Sequence, residues 1–365
     1  MNRYAIRLAN DSTGILVKDD THIIFRSPDY NFSFDKNNGF FVRWGKTMSD
    51  DGKLELGVPE IADIEISTIC HGVNGIPCPF CYKGNTGRGT YMNLDTFKKL
   101  FANLPPTITQ IACGIGDIEG NPDMWDIFDY CNENGVRPNV TVNGEGITDE
   151  IVDKLVSKCG AVAVSLYDKN KTYDTVKKLT DKGLKQTNIH FMLSKQTYDK
   201  AWVLMRDYVN SRIDGSVEDR LKNLNAIVFL SLKKQGRAKD SYDSVTDEEF
   251  ESIINYAFDN NVPIGFDSCS AQKFIRSIKD HDNADKLTQL AEPCESTLYS
   301  MYINTKGKFF PCSFVEGTEG WENGIDVIEN SNFFKDVWYN ESTKSFRDKV
   351  IACRNCGKSC STFDV

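Results

Sequence analysis

Residues 61–84 read IADIEISTICHGVNGIPCPFCYKG. Ile64-Glu65-Ile66 is a short strand, and Cys70, Cys78 and Cys81 follow it in one glycine-containing loop. Upstream the chain reads as β-hairpins. Downstream the hydrophobic period switches to alternating strand and helix, so this stretch marks where the main fold begins. Three soft thiolates can bind three irons of a 4Fe–4S cluster and leave the fourth iron open. A structural zinc site wants four ligands. His71 could supply the fourth, although it adjoins Cys70 and its bite is awkward. Three buried thiols, or zinc with a distant partner, is the plain alternative.

Moving toward the C-terminus, Asn93 caps a helix whose apolar face is Leu94, Phe97, Leu100 and Phe101. Strands at Gln110 to Cys113, Val140 to Val142, Ala161 to Leu166, Ile189 to Leu193 and Ala226 to Leu232 alternate with helices. Those helices are carried by the apolar faces of 122–131, Ile151 to Val156, Val176 with Leu179, and Ala201 to Met205. Thr246-Asp247-Glu248-Glu249 is a capping box that opens a further helix. Six strand–helix units at spacings of about 25 to 40 residues mean a parallel sheet with helices outside. Periodicity leaves two closures open: a doubly wound open sheet, or a full or partial barrel. In both, the chemistry belongs at the C-terminal ends of the strands, the edge on which the cysteine loop sits.

Toward the N-terminus, residues 1–60 form a small β-rich segment. Tyr30, Phe32 and Phe34 alternate with polar neighbours, Asn38-Gly39 supplies a tight turn before Phe40, and Thr21 to Phe25 reads as another strand. Residues 261–293 read as a connecting segment with a short strand-like piece, Ile264 to Phe266, and a polar helix. Residues 294–365 form a cysteine-rich extension. The net charge of -9 disfavours a nucleic-acid surface. No apolar run is long enough for a membrane span, and the N-terminus has no apolar signal core, so a cytoplasmic location is expected.

Twelve cysteines are many for that compartment. Reducing thiol pools there favour metal ligation over disulfides for clustered cysteines. Cys294, Cys312, Cys353, Cys356 and Cys360 form a second group, in the pattern Cys294-x12-Gly307-x4-Cys312 and Cys353-x2-Cys356-x3-Cys360. A strand, a turn at Asn304 to Gly307 and a return strand bring Cys294 and Cys312 together. Zinc in a four-thiolate site is the alternative to iron here. Cys113, Cys131, Cys159 and Cys269 stand alone and read as small core residues.

The first group resembles that of radical S-adenosylmethionine enzymes, which carry three cysteines after the first barrel strand and an aromatic residue before the last, here Phe80 in CPFCYKG. Their usual gap between the first two cysteines is three residues, and here it is seven. Cys113-Gly114-Ile115-Gly116-Asp117 followed by Asn121-Pro122-Asp123 resembles the family's glycine-rich stretch that holds the amino group of the methionine moiety. By resemblance Gly114 and Gly116 admit the ligand and Asp117 pairs with its ammonium, one methylene shorter than the usual Glu. Val142-Asn143-Gly144 is similar to the family's Thr-Asn-Gly, and Ser165 ends the fourth strand where ligand contacts are common. Gly236-Arg237 resembles a common family loop with no assignable role. The resemblance covers residues 61–260, and the second cysteine group resembles the SPASM or shorter twitch extension of peptide-modifying members.

What the resemblance implies is an α/β fold with a partial (β/α)6 TIM-like radical SAM barrel over residues 61–260. It further implies a SAM-binding 4Fe–4S cluster on Cys70, Cys78 and Cys81. Cys294 and Cys312, with two of Cys353, Cys356 and Cys360, would hold an auxiliary 4Fe–4S cluster. The implied activity is reductive cleavage of S-adenosyl-L-methionine to a 5′-deoxyadenosyl radical that takes hydrogen from a substrate, a peptide or protein side chain. An electron donor such as flavodoxin or ferredoxin is implied as partner. A nucleotide or small metabolite is the alternative substrate, and a zinc-stabilised binding module the non-enzymatic alternative. No charged general base is identifiable from the sequence.

Overall fold

The computed structural model describes residues 2–8, 11–47, 50, 57–239 and 242–357. The N-terminal segment is a five-stranded antiparallel meander of β1 (Asn2–Arg7), β2 (Thr13–Lys18), β3 (His22–Arg26), β4 (Asn31–Asp35) and β5 (Phe41–Trp44), paired in chain order. The alternation that predicted strands is visible as burial: Ile23, Phe25, Phe32 and Phe34 are fully buried. Phe25 stacks on Phe32 at 5.6 Å between ring centroids.

The main sheet begins at β6 (Ile61–Glu65) and continues through α1 (Leu94–Asn103), β7 (Gln110–Gly114), α2 (Met124–Glu133), β8 (Arg137–Val142) and α3 (Asp149–Lys158). It goes on with β9 (Val162–Ser165), α4 (Lys169–Asp181), β10 (Thr187–Leu193), α5 (Tyr198–Ser211), β11 (Ala226–Ser231) and α6 (Asp247–Asp259). The expected alternation is therefore present, and its caps behave as read. Asn93 accepts from Thr96 N, and Thr246 with Glu249 closes both halves of the capping box.

β12 (Ile264–Phe266), α7 (Ala271–Ser277) and α8 (Ala284–Leu290) follow, then β13 (Ser300–Ile303), β14 (Lys308–Phe310), β15 (Ile325–Asp326) and α9 (Glu341–Asn355). One turn of π-helix, Phe334–Trp338, precedes α9. The sheet order is β12-β11-β10-β9-β8-β7-β6-β13-β14-β15. From β6 to β12 each new strand adds beside the last, with parallel pairing throughout and no reversal. A doubly wound sheet reverses direction at a switch point, so that alternative is excluded. Among the described residues β12 and β15 pair with no further strand, so the sheet is not a closed barrel.

β13 pairs in parallel with β6, Ser300 opposite Ile61 and Ile303 opposite Ile64. The segment that holds the second cysteine group is therefore built into the same sheet. The N-terminal meander docks onto this region. Tyr30 stacks on Tyr299 at 5.7 Å, and the Arg43 guanidinium lies 3.8 Å from the centre of the same Tyr299 ring. Arg43 also pairs with Glu60, whose side chain is fully buried. Among the described residues no helix is long and apolar enough to cross a membrane.

Candidate functional site

The cysteine loop leaves the C-terminal end of β6, and its extra length has a shape. Val73 and Ile76 form a bridge closed by the turn Asn74-Gly75, both residues at positive φ. This is the conformation of the tight hairpin turn that Asn-Gly favours. The additional residues between Cys70 and Cys78 are thus folded out as a miniature hairpin, and the thiols stay near one another. The burial of Cys78 pushes its thiol up to about 11, with further contributions from Cys70 and Cys81. Burial likewise raises Cys70, with Asp117 and Cys81 adding to it. All three cysteines are half-buried. Among the described residues no three His, Cys, Asp or Glu side chains close in on one point as ligands of a metal ion do.

The loop is held from the ends of several strands of the sheet. Asp117 N donates to Ile69 O at 2.9 Å. The Asp117 carboxylate accepts from His71 N at 2.8 Å and lies 2.7 Å from His71 Nδ1. A Cβ on Gly116 would lie 2.2 Å from Ile69 O and 2.5 Å from Cys70 Cβ. Gly116 therefore lets the β7 loop close on the cysteine loop. At the hairpin, Asn74 N donates to Glu145 Oε2 and Lys171 Nζ to Asn74 Oδ1, while Lys171 also pairs with Glu145. From the loop after β11, Arg237 donates to carbonyls of the cysteine loop.

Other expected ligand residues fall around this loop with different immediate tasks. Gly114 packs on β6: its Cβ would lie 3.1 Å from Glu65 Cα. Asn143 is buried and its side chain accepts from Glu145 N, steadying the turn that carries Glu145. Ser165 is buried at the end of β9. Phe80 packs against Tyr167 and Tyr242, with ring centroids 5.4 and 5.6 Å away. Burial raises the Tyr167 phenol, and Cys78, Cys81 and Cys70 add to the shift. Tyr167 was not anticipated. Its one sequence signal is an aromatic residue two positions past the end of a parallel strand.

On the inner face, His190 lies 3.4 Å from Thr141 Oγ1. Burial pulls its imidazole down to about 4, against the pull of Asp267, so it is neutral near pH 7. Cys113, Cys131 and Cys159 are buried as expected. Cys269 departs from the core reading. It is half-buried beside Lys233, whose ammonium is fixed by Asp267 at 2.5 Å.

Charged chemistry that sequence reading missed lies on the other side of the cysteine loop. Glu65 ends β6, and its burial raises its carboxyl while Lys83 opposes the shift. Lys83 donates to Tyr302 at 2.7 Å and pairs with Glu316 and Glu65. Tyr302 donates to Glu65 at 2.9 Å. These groups border a cavity of about 460 Å³ shared by the Tyr82–Thr90 turn, Gln235 and the β13–β14 hairpin. Tyr82 spans the two cysteine groups: its ring centroid is 4.4 Å from that of Phe314, and its hydroxyl donates to Ser313 at 3.1 Å.

In the second group, Cys294 and Cys312 flank the β13–β14 hairpin and are half-buried. Ser296 Oγ donates to Pro311 O at 2.6 Å, tying the two ends of the hairpin together next to those cysteines. Cys353 is half-buried and Cys356 exposed at the end of α9. Arg354, between them, donates to Cys294 O at 2.9 Å and to Pro293 O at 3.2 Å. Cys360 lies outside the described residues.

No family model matches the sequence, and no curated protein does. Solved structures match in fold. Streptococcus suis SuiB aligns over 90% of this chain and 90% of its own, with a TM-score of 0.63 and 14% identity. SuiB is also known bound to its precursor peptide SuiA and bound to S-adenosylmethionine, with the same TM-score. Native anSMEcpe with bound AdoMet and Cp18Cys peptide aligns over 82% of this chain and 86% of its own, with a TM-score of 0.56 and 11% identity.

Proposed function

We infer that this chain, which shares the fold of the radical S-adenosylmethionine enzymes SuiB and anSMEcpe, is itself such an enzyme and acts on a peptide or protein side chain. The observation that carries the reading is the cysteine loop at the C-terminal end of β6. Its three cysteines are half-buried in one loop, and Phe80 of that loop packs on Tyr167. A three-thiolate donor set fits a 4Fe–4S cluster with one open iron. Gly116 provides the close approach that keeps the loop seated. When bound, such a cluster supplies the electron that cleaves S-adenosylmethionine into a hydrogen-abstracting 5′-deoxyadenosyl radical.

The chain's own residues hold and orient. Cys70, Cys78 and Cys81 are the ligands. Phe80, Gly114, Gly116, Asp117, Asn143 and Ser165 line the S-adenosylmethionine side. Asp117 serves this role only by exchanging its bond to His71 for one to the methionine ammonium. Cys294 and Cys312, with two of Cys353, Cys356 and Cys360, form the four-thiolate set of an auxiliary cluster, a reading supported by Arg354 fastening the end of α9 to the Cys294 carbonyl. The cavity beside Glu65, Lys83 and Glu316 is the substrate site in this reading, because it adjoins both cysteine groups. A peptide substrate is supported by the solved complexes of SuiB with its precursor peptide and of anSMEcpe with a peptide. A low-potential flavodoxin or ferredoxin in the cytoplasm completes the scheme as electron donor.

Anaerobic purification followed by iron and sulfide assay tests this. About eight irons per chain are expected for two clusters and about four for one. Chemical reduction with S-adenosylmethionine should release 5′-deoxyadenosine, and Cys78→Ala should abolish the release. Zinc without iron would end the enzyme reading.

A further inference from the structure

Arg237 is the residue whose surroundings are least explained by packing. It follows β11, far in sequence from the cysteine loop, yet among the described residues its hydrogen bonds go to that loop and the turn after it. Its Nε donates to Cys78 O at 2.8 Å, its Nη1 to Asn85 O at 3.1 Å and its backbone N–H to Cys81 O at 3.0 Å. The approach is made possible by Gly236, at φ +56°, where a Cβ would lie 2.3 Å from Tyr82 O and 2.6 Å from Cys81 O. No substitution at 236 leaves the β11 loop where it is.

Among the described residues no carboxylate answers the charge on Arg237, and it forms no ion pair, although it is half-buried. A half-buried guanidinium without a counter-ion is costly. Three cysteines of the loop it grips, held as thiolates on a bound cluster, would supply the missing negative charge. The fork also satisfies carbonyls on one side of the loop, which fixes the backbone between Cys78 and Asn85.

We propose that Arg237 is a positioning residue that clamps the ligand loop and sets the charge around a cluster bound there. This rests on the cluster reading above. A fixed positive charge stabilises the added electron of a reduced site, so it holds the reduction potential up. A lysine keeps the charge and loses the fork; a glutamine loses the charge.

The test compares wild type, Arg237→Lys and Arg237→Gln, each reconstituted anaerobically. The readouts are iron content, thermal melting of the metal-free proteins and the midpoint potential followed by electron paramagnetic resonance. Arg237→Gln is expected to shift the potential negative, and Arg237→Lys to stay near wild type with lower iron retention. If Arg237→Gln loses its iron altogether, the lysine variant decides: iron held at the wild-type potential supports the charge role, and iron lost overturns it. An Arg237→Gln potential equal to wild type overturns the proposal while leaving the cluster reading intact. Wild-type protein that takes up no iron overturns the cluster reading itself.

Discussion

His190 illustrates how a single side chain translates into a pH dependence. Its folded value of about 4 lies below the usual histidine value of 6.5. Between those two values the unfolded chain binds a proton that the folded chain refuses, so stability rises with pH across that window and is lost as pH falls from 6.5 to 4. With partial exposure discounted, the loss is about 2 kcal/mol. His190→Gln should flatten that part of the melting-temperature profile, measured by circular dichroism between pH 4 and 7; an unchanged slope would remove His190 from the account. Arg43 is a second such residue, through charge pairing. Its removal would take a shared cation from Glu60, Glu292 and Glu295, with Arg354 remaining near Glu295. Arg43→Ala should cost about 3–5 kcal/mol, the usual price of breaking a buried pair. Urea unfolding at pH 7 reads this directly, and the deficit should shrink at pH 4 as the carboxylates protonate.

At the scale of elements, the hairpin at Val73–Ile76 explains how a seven-residue gap can serve where three is usual. Glu145 and Lys171 strap it down, both partly exposed, so Glu145→Ala should lower global stability by less than about 1 kcal/mol. The same change should speed hydrogen exchange in residues 72–77, seen by mass spectrometry; unchanged exchange would mean the strap does nothing. The alternation of strands and helices was legible because apolar faces such as Leu94, Phe97 and Leu100, and caps such as Thr246 with Glu249, are local signals. The placement of Ser300–Ile303 beside β6 was not legible, since pairing between distant segments leaves no periodicity in either. For the same reason the cysteines could be named from spacing, whereas Arg237, Glu145 and Tyr167 could not be placed beside them. Each comes from a different loop, and only the winding of the sheet brings those loops to one edge. Lys83 sat in view near Cys81, but its partners Glu65, Tyr302 and Glu316 come from segments far apart in the chain.

For the whole molecule, the sheet decides what can be detached. β13 covers an edge of β6, and Tyr299 and Arg43 join this region to the N-terminal meander. A chain ending after Ala291 should therefore lose its cooperative melt and aggregate, instead of yielding a folded barrel without its extension. A sharp thermal transition in such a truncation, with intact secondary structure by circular dichroism, would refute this.

The pairing of β13 with β6 also imposes an order in time. Tyr302 lies 237 positions after the Glu65 it bonds. At about 5–20 residues per second, a ribosome needs roughly 10–50 s to make that intervening chain. Throughout that interval the first strand of the sheet has a bare flank, and Lys83 waits for Tyr302 and Glu316. The nascent chain must be shielded from strand-to-strand association until its last third emerges. Until then Cys70, Cys78 and Cys81 sit in a loop whose bed is still unfinished.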